Sequence, residues 1–457
     1  MGAGSLVGAP SPQAEDVLSE RAGIAEVRWA LSGAASRRAL RGALQGLLEK
    51  GAVLRACRVQ RAKLKPGRKL TVHYDAWVRS GATDSKRAVV AIWDRGDGAI
   101  DLDAHASTLE AEAVARGLAA PFRGLCARLP GWNVSVLVSP LDPRLPQLIR
   151  LSDPTHVAAM LAGPLAQASD VTYRVSTIRY RPGERHVLRY EPSAGPVAAV
   201  FAKLSRREAD VARAFDVATC LADRLGACGG GTRAVRPLAA VVEDGAILFP
   251  EVGGRPLSEL LRGRQDGLTW YLQRAGRALR ALHSAPASLA GTLAARDFAS
   301  EVDAVRRASE HICALLPRVG AVIVDALERA RSVHDQLPAE APTLVHGDFK
   351  ADHLWVAGGG LVVLDFGSCA IGDPALDVGK FLADLRWWST LSGRGSASMR
   401  RAFLEAYGAE EVLRARVYEA LFLVLFAAHR VPLYHPAWAE RAASLVQRAS
   451  ALLAELL

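Results

Sequence analysis

The sequence predicts an α+β fold, and three observations predict it. A block of alternating apolar and polar residues broken by a Pro-Gly turn occurs twice, which is the pattern of antiparallel hairpins. Apolar residues at three- and four-residue spacing fill much of the second half, which is the pattern of amphipathic helices. Two short apolar runs there flank His346-Gly347-Asp348 and Asp365-Phe366-Gly367. Strands and helices are therefore segregated along the chain and do not alternate as in a doubly wound sheet.

The first 20 residues read as a flexible tail. Ala62–Asp75 (AKLKPGRKLTVHYD) then lies over Ile178–Glu191 (IRYRPGERHVLRYE) without a gap at an offset of 116. Pro66-Gly67 falls on Pro182-Gly183, and Tyr74 on Tyr190. A second match, at an offset of 110, sets Val136–Leu148 over Ile247–Leu260, with Pro140 on Pro250. An apolar strand follows each hairpin, Arg87–Trp93 in the first copy and Ala198–Leu204 in the second. Two ordered matches point to an internal duplication. Beyond it, Leu268–His283, Phe298–Leu316 and Val319–Leu337 carry the helical spacing.

Composition narrows the class. At about 100–200 residues per domain, 457 residues make two or three domains. Half of the residues are apolar and 23% charged, an ordinary globular balance. Lys and Arg outnumber Asp and Glu by 57 to 47, but the arginines are scattered among acids and form no basic stripe, so no nucleic-acid partner is expected. Only eight of the 57 are lysine (Lys50, Lys63, Lys65, Lys69, Lys86, Lys203, Lys350 and Lys380), so each lysine is informative in a chain that otherwise prefers arginine. The six cysteines form no C-x-x-C pair and read as reduced thiols. No basic segment precedes an apolar core at the start of the chain, and the apolar run Ala420–Ala428 is about half the length of a membrane span. A soluble cytoplasmic protein without a membrane partner is the expectation.

The chemistry concentrates in Leu344–Leu382. A strand end delivers His346-Gly347-Asp348, and His353 follows five residues past Asp348. After Leu354-Trp355-Val356, a turn at Gly358-Gly359-Gly360 returns the chain through Leu361–Leu364 to Asp365. Such a hairpin aims Asp348 and Asp365 at one point. Two converging carboxylates suit phosphoryl transfer, one taking the hydroxyl proton and the other holding a metal on the nucleotide.

HGD, DFG and the downstream Gly372-Asp373-Pro374-Ala375-Leu376-Asp377 together resemble the catalytic segment of the aminoglycoside phosphotransferase and choline kinase superfamily. That resemblance implies a protein-kinase-like bilobal fold, with an antiparallel N-lobe sheet and a helical C-lobe, and ATP and Mg²⁺ as cofactors. It implies Asp348 as catalytic base and Asp365 as metal ligand, with Asp377 bracing the catalytic loop. The family's usual Asn is replaced by His353, and the maltokinase-like branch also departs from Asn at this position. Imidazole is a poor Mg²⁺ ligand, so Asp352 is an alternative donor, as is a single metal. Lys350 matches the lysine that reaches the transferred phosphate.

Upstream, Lys203 ends an apolar strand as the phosphate-binding lysine of kinases does, with Asp216 as its expected acidic partner and Glu208 the alternative. Pro182-Gly183 takes the place of the nucleotide loop, and Glu251 and Gly253 that of the adenine-contacting hinge. The resemblance runs from about Val171 to the carboxyl terminus. It implies an N-lobe over 151–252 and a helical C-lobe over 253–457, while the tail covers 1–20 and the internal repeat makes 21–150 a cap resembling a degenerate second N-lobe. In the cap, Trp93 stands where Lys203 is expected, so that copy has no nucleotide lysine.

The implied partner is a small-molecule hydroxyl acceptor: a sugar, an aminoglycoside or another natural product. Between Ile371 and Leu457 nine acids face ten bases, which does not favour a polycation. Trp387, Trp388 and Trp438 are either sugar platforms or core. The alternative function is a kinase-like nucleotide-binding module without turnover.

Overall fold

Alternation along the first copy of the repeat builds a meander. β1 (Ala52–Lys65) and β2 (Lys69–Ser80) close a hairpin around Pro66-Gly67, and β3 (Thr83–Asp94) pairs antiparallel with β2. Leu70, Val72, Tyr74, Ala76 and Val78 share the buried face of β2, as the period of two requires. The computed structural model describes residues 17–19, 22–94, 102–165, 171–194, 198–206, 208–227, 231–263, 267–285, 293–393, 395–409 and 412–456. Of the expected tail, residues 1–16 and 20 lie outside these, while Val17 and Leu18 are buried.

The described residues form two compact units. The first runs to Glu208 and takes in residues 241–246 and 432–438; the second holds the remainder. In the first unit, helices α1 (Ile24–Ser32) and α2 (Ala34–Leu47) precede the meander. After it come α3 (Leu102–Ala115), β4 (Cys126–Leu129) and β5 (Val134–Val138), which complete a five-stranded sheet in the order β1-β2-β3-β5-β4. Two helices, α4 (Leu148–Leu151) and α5 (Pro154–Ala162), lead to the second copy. There β6 (Tyr173–Arg181) and β7 (Arg185–Pro192) close around Pro182-Gly183, and β8 (Val200–Leu204) pairs antiparallel with β7.

The two hairpins share one register at their turns and again past their bulges, which fall at Gln60 in the first and at Ile178 in the second. Lys65 opposes Lys69 at the first turn and Arg181 opposes Arg185 at the second, 116 residues on. Leu70 opposes Trp93, and its counterpart His186 opposes Leu204. Trp93 therefore corresponds to Leu204, and Ile92, opposite Thr71, corresponds to Lys203, opposite Val187. Ile92, not Trp93, holds the lysine's place in the first copy, because pairing and not strand ends fixes correspondence.

In the second unit α6 (Glu208–Ala227) leads to β9 (Thr232–Ala234), and β10 (Ala239–Val241) and β11 (Ala246–Pro250) follow in the chain. Next come β12 (Arg255–Pro256), α7 (Leu257–Arg262), α8 (Leu268–His283) and β13 (Ala295–Arg296). The predicted helix pair is α9 (Phe298–Leu315), whose first turn Asp297 caps through the Ser300 N–H at 2.8 Å, and α10 (Pro317–Gln336), which starts on proline. Then follow β14 (Thr343–Val345), β15 (Leu354–Ala357), β16 (Gly360–Val363) and β17 (Ala370–Gly372). Their sheets run β12-β15-β16-β9 and β13-β17-β14. Helices α11 (Ala375–Ser392), α12 (Ala397–Tyr407), α13 (Leu413–His429) and α14 (Trp438–Ala454) complete the chain.

Gly379 lets α11 lie against α13: a Cβ there would meet the Ala415 carbonyl oxygen and the Tyr418 Cβ at 2.5 Å. No helix among the described residues is long and apolar enough to cross a membrane. None of the described cysteines is in a disulfide.

Candidate active site

Asp348, His353 and Asp365 converge. One ligand atom from each lies within 4.8 Å of the others. The β15–β16 hairpin achieves this: Leu354 opposes Val363 at its base, so the residues before β15 and after β16 meet. His353 ends a turn of 3₁₀ helix (Ala351–His353), and its Nδ1 donates to the Asp348 carbonyl oxygen at 3.0 Å. That bond leaves Nε2 as an acceptor, 3.5 Å from Asp365 Oδ2. Burial pushes the His353 pKa down to about 3, so the ring is neutral. Asp365 itself has φ +64°, a left-handed conformation that few non-glycine residues adopt and that is held here by its surroundings.

Two lysines flank Asp348. Lys350 Nζ lies 2.7 Å from Oδ2 and Lys380 Nζ 2.8 Å from Oδ1. Burial alone would raise the Asp348 pKa, but Lys380, His353 and Lys350 hold it well below the carboxylate range. Asp348 is therefore ionised at neutral pH.

A buried frame holds this loop. Asp377 accepts the N–H groups of His346 at 2.6 Å and Gly347 at 2.8 Å, and His283 Nε2 approaches it at 3.3 Å. His283 Nδ1 in turn meets the Tyr407 hydroxyl at 2.9 Å, so His283 is a structural support. Gly347 has φ +72°, and its carbonyl oxygen accepts from both Lys380 and Arg296. Asp384, fully buried, accepts the Ala351 N–H at 2.6 Å and pairs with Arg430 at 2.5 Å. Asp373 accepts the Ala375 N–H at 2.9 Å where α11 begins, and it also pairs with Arg414.

Asp352, the other candidate metal ligand, is exposed and stands outside the Asp348–His353–Asp365 trio. Lys203 sits half-buried on β8 of the first unit. Asp216 is exposed on α6 and Glu251 and Gly253 are exposed after β11, all three in the second unit. The Glu208 side chain lies outside the described residues. At the Pro182-Gly183 turn, the Gly183 N–H is already spent on Asp142 Oδ2 at 2.8 Å. Trp388 and Trp438 are buried core residues, so neither offers a face to a sugar.

The profile of the Phosphotransferase enzyme family (APH) matches residues 165–421, more than half of the chain. The chain belongs to that family. Family membership and the mixed sheets and helices agree with the α+β, kinase-like fold class read from sequence. Among solved structures, the chain is similar to a choline/ethanolamine kinase family protein from Mesorhizobium loti, with 18% identity and a TM-score of 0.44 over 65% of this chain and 93% of that one. It is also similar to the macrolide 2'-phosphotransferase MphH from Brachybacterium faecium, with 20% identity and a TM-score of 0.40 over 63% and 96%. A third is the amicoumacin kinase hAmiN, with 14% identity and a TM-score of 0.45 over 64% and 93%. No curated protein matches the chain.

Sequence reading missed five residues around this site, Lys380 and two ion pairs. Lys380 touches Asp348 directly, and its rarity among the basic residues was the available signal. Asp384 with Arg430, and Arg296 on β13 with Glu301, support the loop from elements distant in sequence, and nothing in their local sequence marks them.

Proposed function

We propose that the protein transfers the γ-phosphate of ATP to a hydroxyl group of a small molecule. The observation that carries this reading is an ionised Asp348 held between two ammonium groups and joined through His353 to a second carboxylate. The acceptor hydroxyl donates to Asp348 and passes its proton to a carboxylate oxygen as the new O–P bond forms and the bond from the γ-phosphorus to the β–γ bridging oxygen breaks, releasing ADP. A carboxylate of such low basicity takes the proton late, which suits a loose transition state in which the nucleophile needs orientation more than activation. Lys350 is placed to move from Asp348 to an oxygen of the transferred group. Lys380 stays with Asp348 and the Gly347 carbonyl and keeps the base in place.

The donor set fits a divalent cation. His353 Nε2 and Asp365 Oδ2 are two acceptors facing each other at 3.5 Å, and a divalent cation held chiefly by Asp365 would relieve that contact. Mg²⁺ takes one or two protein carboxylates and fills its shell with phosphates and water, so Asp365 with Asp348 nearby suffices without Asp352. Bound there, the ion neutralises phosphate charge. Lys203 then serves the nucleotide phosphates with Asp216 as its acid, the Pro182-Gly183 turn borders them, and Glu251 and Gly253 supply backbone groups to adenine.

The acceptor class is a sugar, aminoglycoside or other natural-product hydroxyl, and the near balance of charge after Ile371 favours an acceptor that is not a polycation. The proposed use of ATP suits the cytoplasm, where Mg-ATP is supplied, and the scattered arginines argue against a nucleic-acid partner. The test is ADP release with Mg-ATP against a panel of sugars, aminoglycosides, choline and natural-product alcohols. Acceptor-dependent ADP that disappears in Asp348→Asn supports the reading; unchanged activity in that variant overturns it.

A further inference from the structure

We propose that the first unit carries a second binding site, a cationic cavity that takes a small phosphorylated compound. The cavity measures about 300 Å³ and lies among β1–β3, the segment after β5, and the tip of the β6–β7 hairpin. Arg61, Lys63, Lys65, Lys69, Arg144 and Arg181 line it, with Arg128 at the end of β4. Three of the chain's eight lysines are thus gathered in one place.

The acids facing them are few and committed. Asp142, Asp94 and Glu184 are the acidic lining residues. Asp142 spends its carboxylate on the Tyr180 hydroxyl, the Gly183 N–H and the Arg144 N–H, at 2.8, 2.8 and 3.0 Å. Glu184 pairs with Lys63 at 2.5 Å, and Asp94 meets Lys69 only at 3.8 Å. The Arg181 side chain keeps Nε buried without a hydrogen-bond partner, and His73 does the same with Nε2. Buried polar groups in this condition are rare in folded proteins and call for a missing partner. Burial, then Arg179, Arg61 and Arg185, bring the Arg181 pKa down to about 10, the mark of positive charge short of compensation. Val90, Ile92 and Leu137 give the same cavity an apolar wall for a carbon skeleton. A phosphate ester combines both features, and guanidinium groups match its oxygens in pairs.

The Tyr180 wall of the cavity is not on the face that Lys203 serves. Lys203 opposes Val187, whereas Tyr180 opposes His186, which opposes Leu204. Directly opposed residues share a face and neighbours along a strand alternate. Tyr180, which lines the cavity and packs on Ala88 and Val90, therefore lies on the opposite face of the β6–β8 sheet from Lys203. Arg181, the last residue of β6, falls on the Lys203 side by the same alternation and joins the cavity lining at the hairpin tip.

Isothermal titration of the full chain with glucose 6-phosphate, with inorganic pyrophosphate as a second probe and glucose as the uncharged control, tests the site. The expected result is saturable binding of at least one phosphate probe with Kd below about 1 mM and none of glucose. Binding should weaken about tenfold in Lys69→Gln and in Arg61→Gln, each checked for folding by circular dichroism. It should persist in Lys203→Ala and in Asp348→Asn. No saturable binding of either probe, equal binding in the folded cavity variants, or loss in Lys203→Ala overturns the proposal. Because the readout is binding and Asp348→Asn is included, its failure is separable from failure of the transfer reaction.

Discussion

Around Asp348 each neighbouring ammonium group lies within hydrogen-bond reach of the carboxylate, whereas in the cavity beside β1–β3 the cations outnumber the acids. The first cluster is closed on itself: Asp348, Lys350, Lys380 and the Gly347 carbonyl satisfy one another inside a frame of buried carboxylates. The second is open: its best-buried acid, Asp142, serves two backbone amides and a hydroxyl, leaving the guanidinium groups beside it in mutual repulsion. A closed cluster holds its charges in a working arrangement before substrate arrives, which is what positioning and charge stabilisation require. An open one holds repulsion that an anion relieves.

The largest effect should fall on the closed cluster. Asp348→Asn is expected to lower kcat by about 10³-fold or more while Mg-ATP still binds, measured by ADP release and titration with nucleotide. Turnover within about tenfold of the parent would put the chemistry elsewhere. Asp377→Ala should cost about 3–5 kcal/mol of folding stability in urea titrations, because it strands two buried backbone N–H groups and His283. A loss under about 1 kcal/mol would show that the frame is dispensable.

Acid should separate the two regions next. Asp377 and Asp348 both titrate below their ordinary values despite burial, through His283 and the backbone amides for Asp377 and through Lys380, His353 and Lys350 for Asp348. Their stabilisation is fully present above the ordinary carboxylate pKa of about 4 and fades as pH falls through the lowered folded values. Asp348→Asn should therefore show a shallower loss of urea midpoint between about pH 4 and pH 2 than the parent. An unchanged slope would break that link. The smallest effects should have opposite signs. Lys380→Met should lower the thermal midpoint by leaving Asp348 short of a buried partner, while Arg61→Gln should raise it by about 1–3 °C at low salt, by removing a charge that burial penalises and that repels Arg181.

Much of this was legible because it is local. Pro-Gly turns within alternating residues specify hairpins whose partners are adjacent in sequence, and the gapless repeat implied equal registers at the turns but not the bulges at Gln60 and Ile178. Asp348, His353 and Asp365 were legible for the same reason, since one hairpin carries all three. Lys380 was not, because it reaches Asp348 only through the packing of α11, where it lies one turn past Asp377 and shares its side of the helix. The Ile92 correspondence needed strand pairing, and the capture of the Gly183 amide by Asp142 needed a loop from outside the hairpin.

The close approach of α11 and α13 at Gly379 has a consequence for how this protein tolerates change. The next residue along, Lys380, is placed against Asp348 only as accurately as α11 is placed against the Ala415 carbonyl. A single added methyl at Gly379 would lever the ammonium away from its carboxylate without altering any group that meets a reactant. The spacing of the two charges is thus written in an atom that the chain leaves out, and a position with no side chain at all is among the least forgiving near the site.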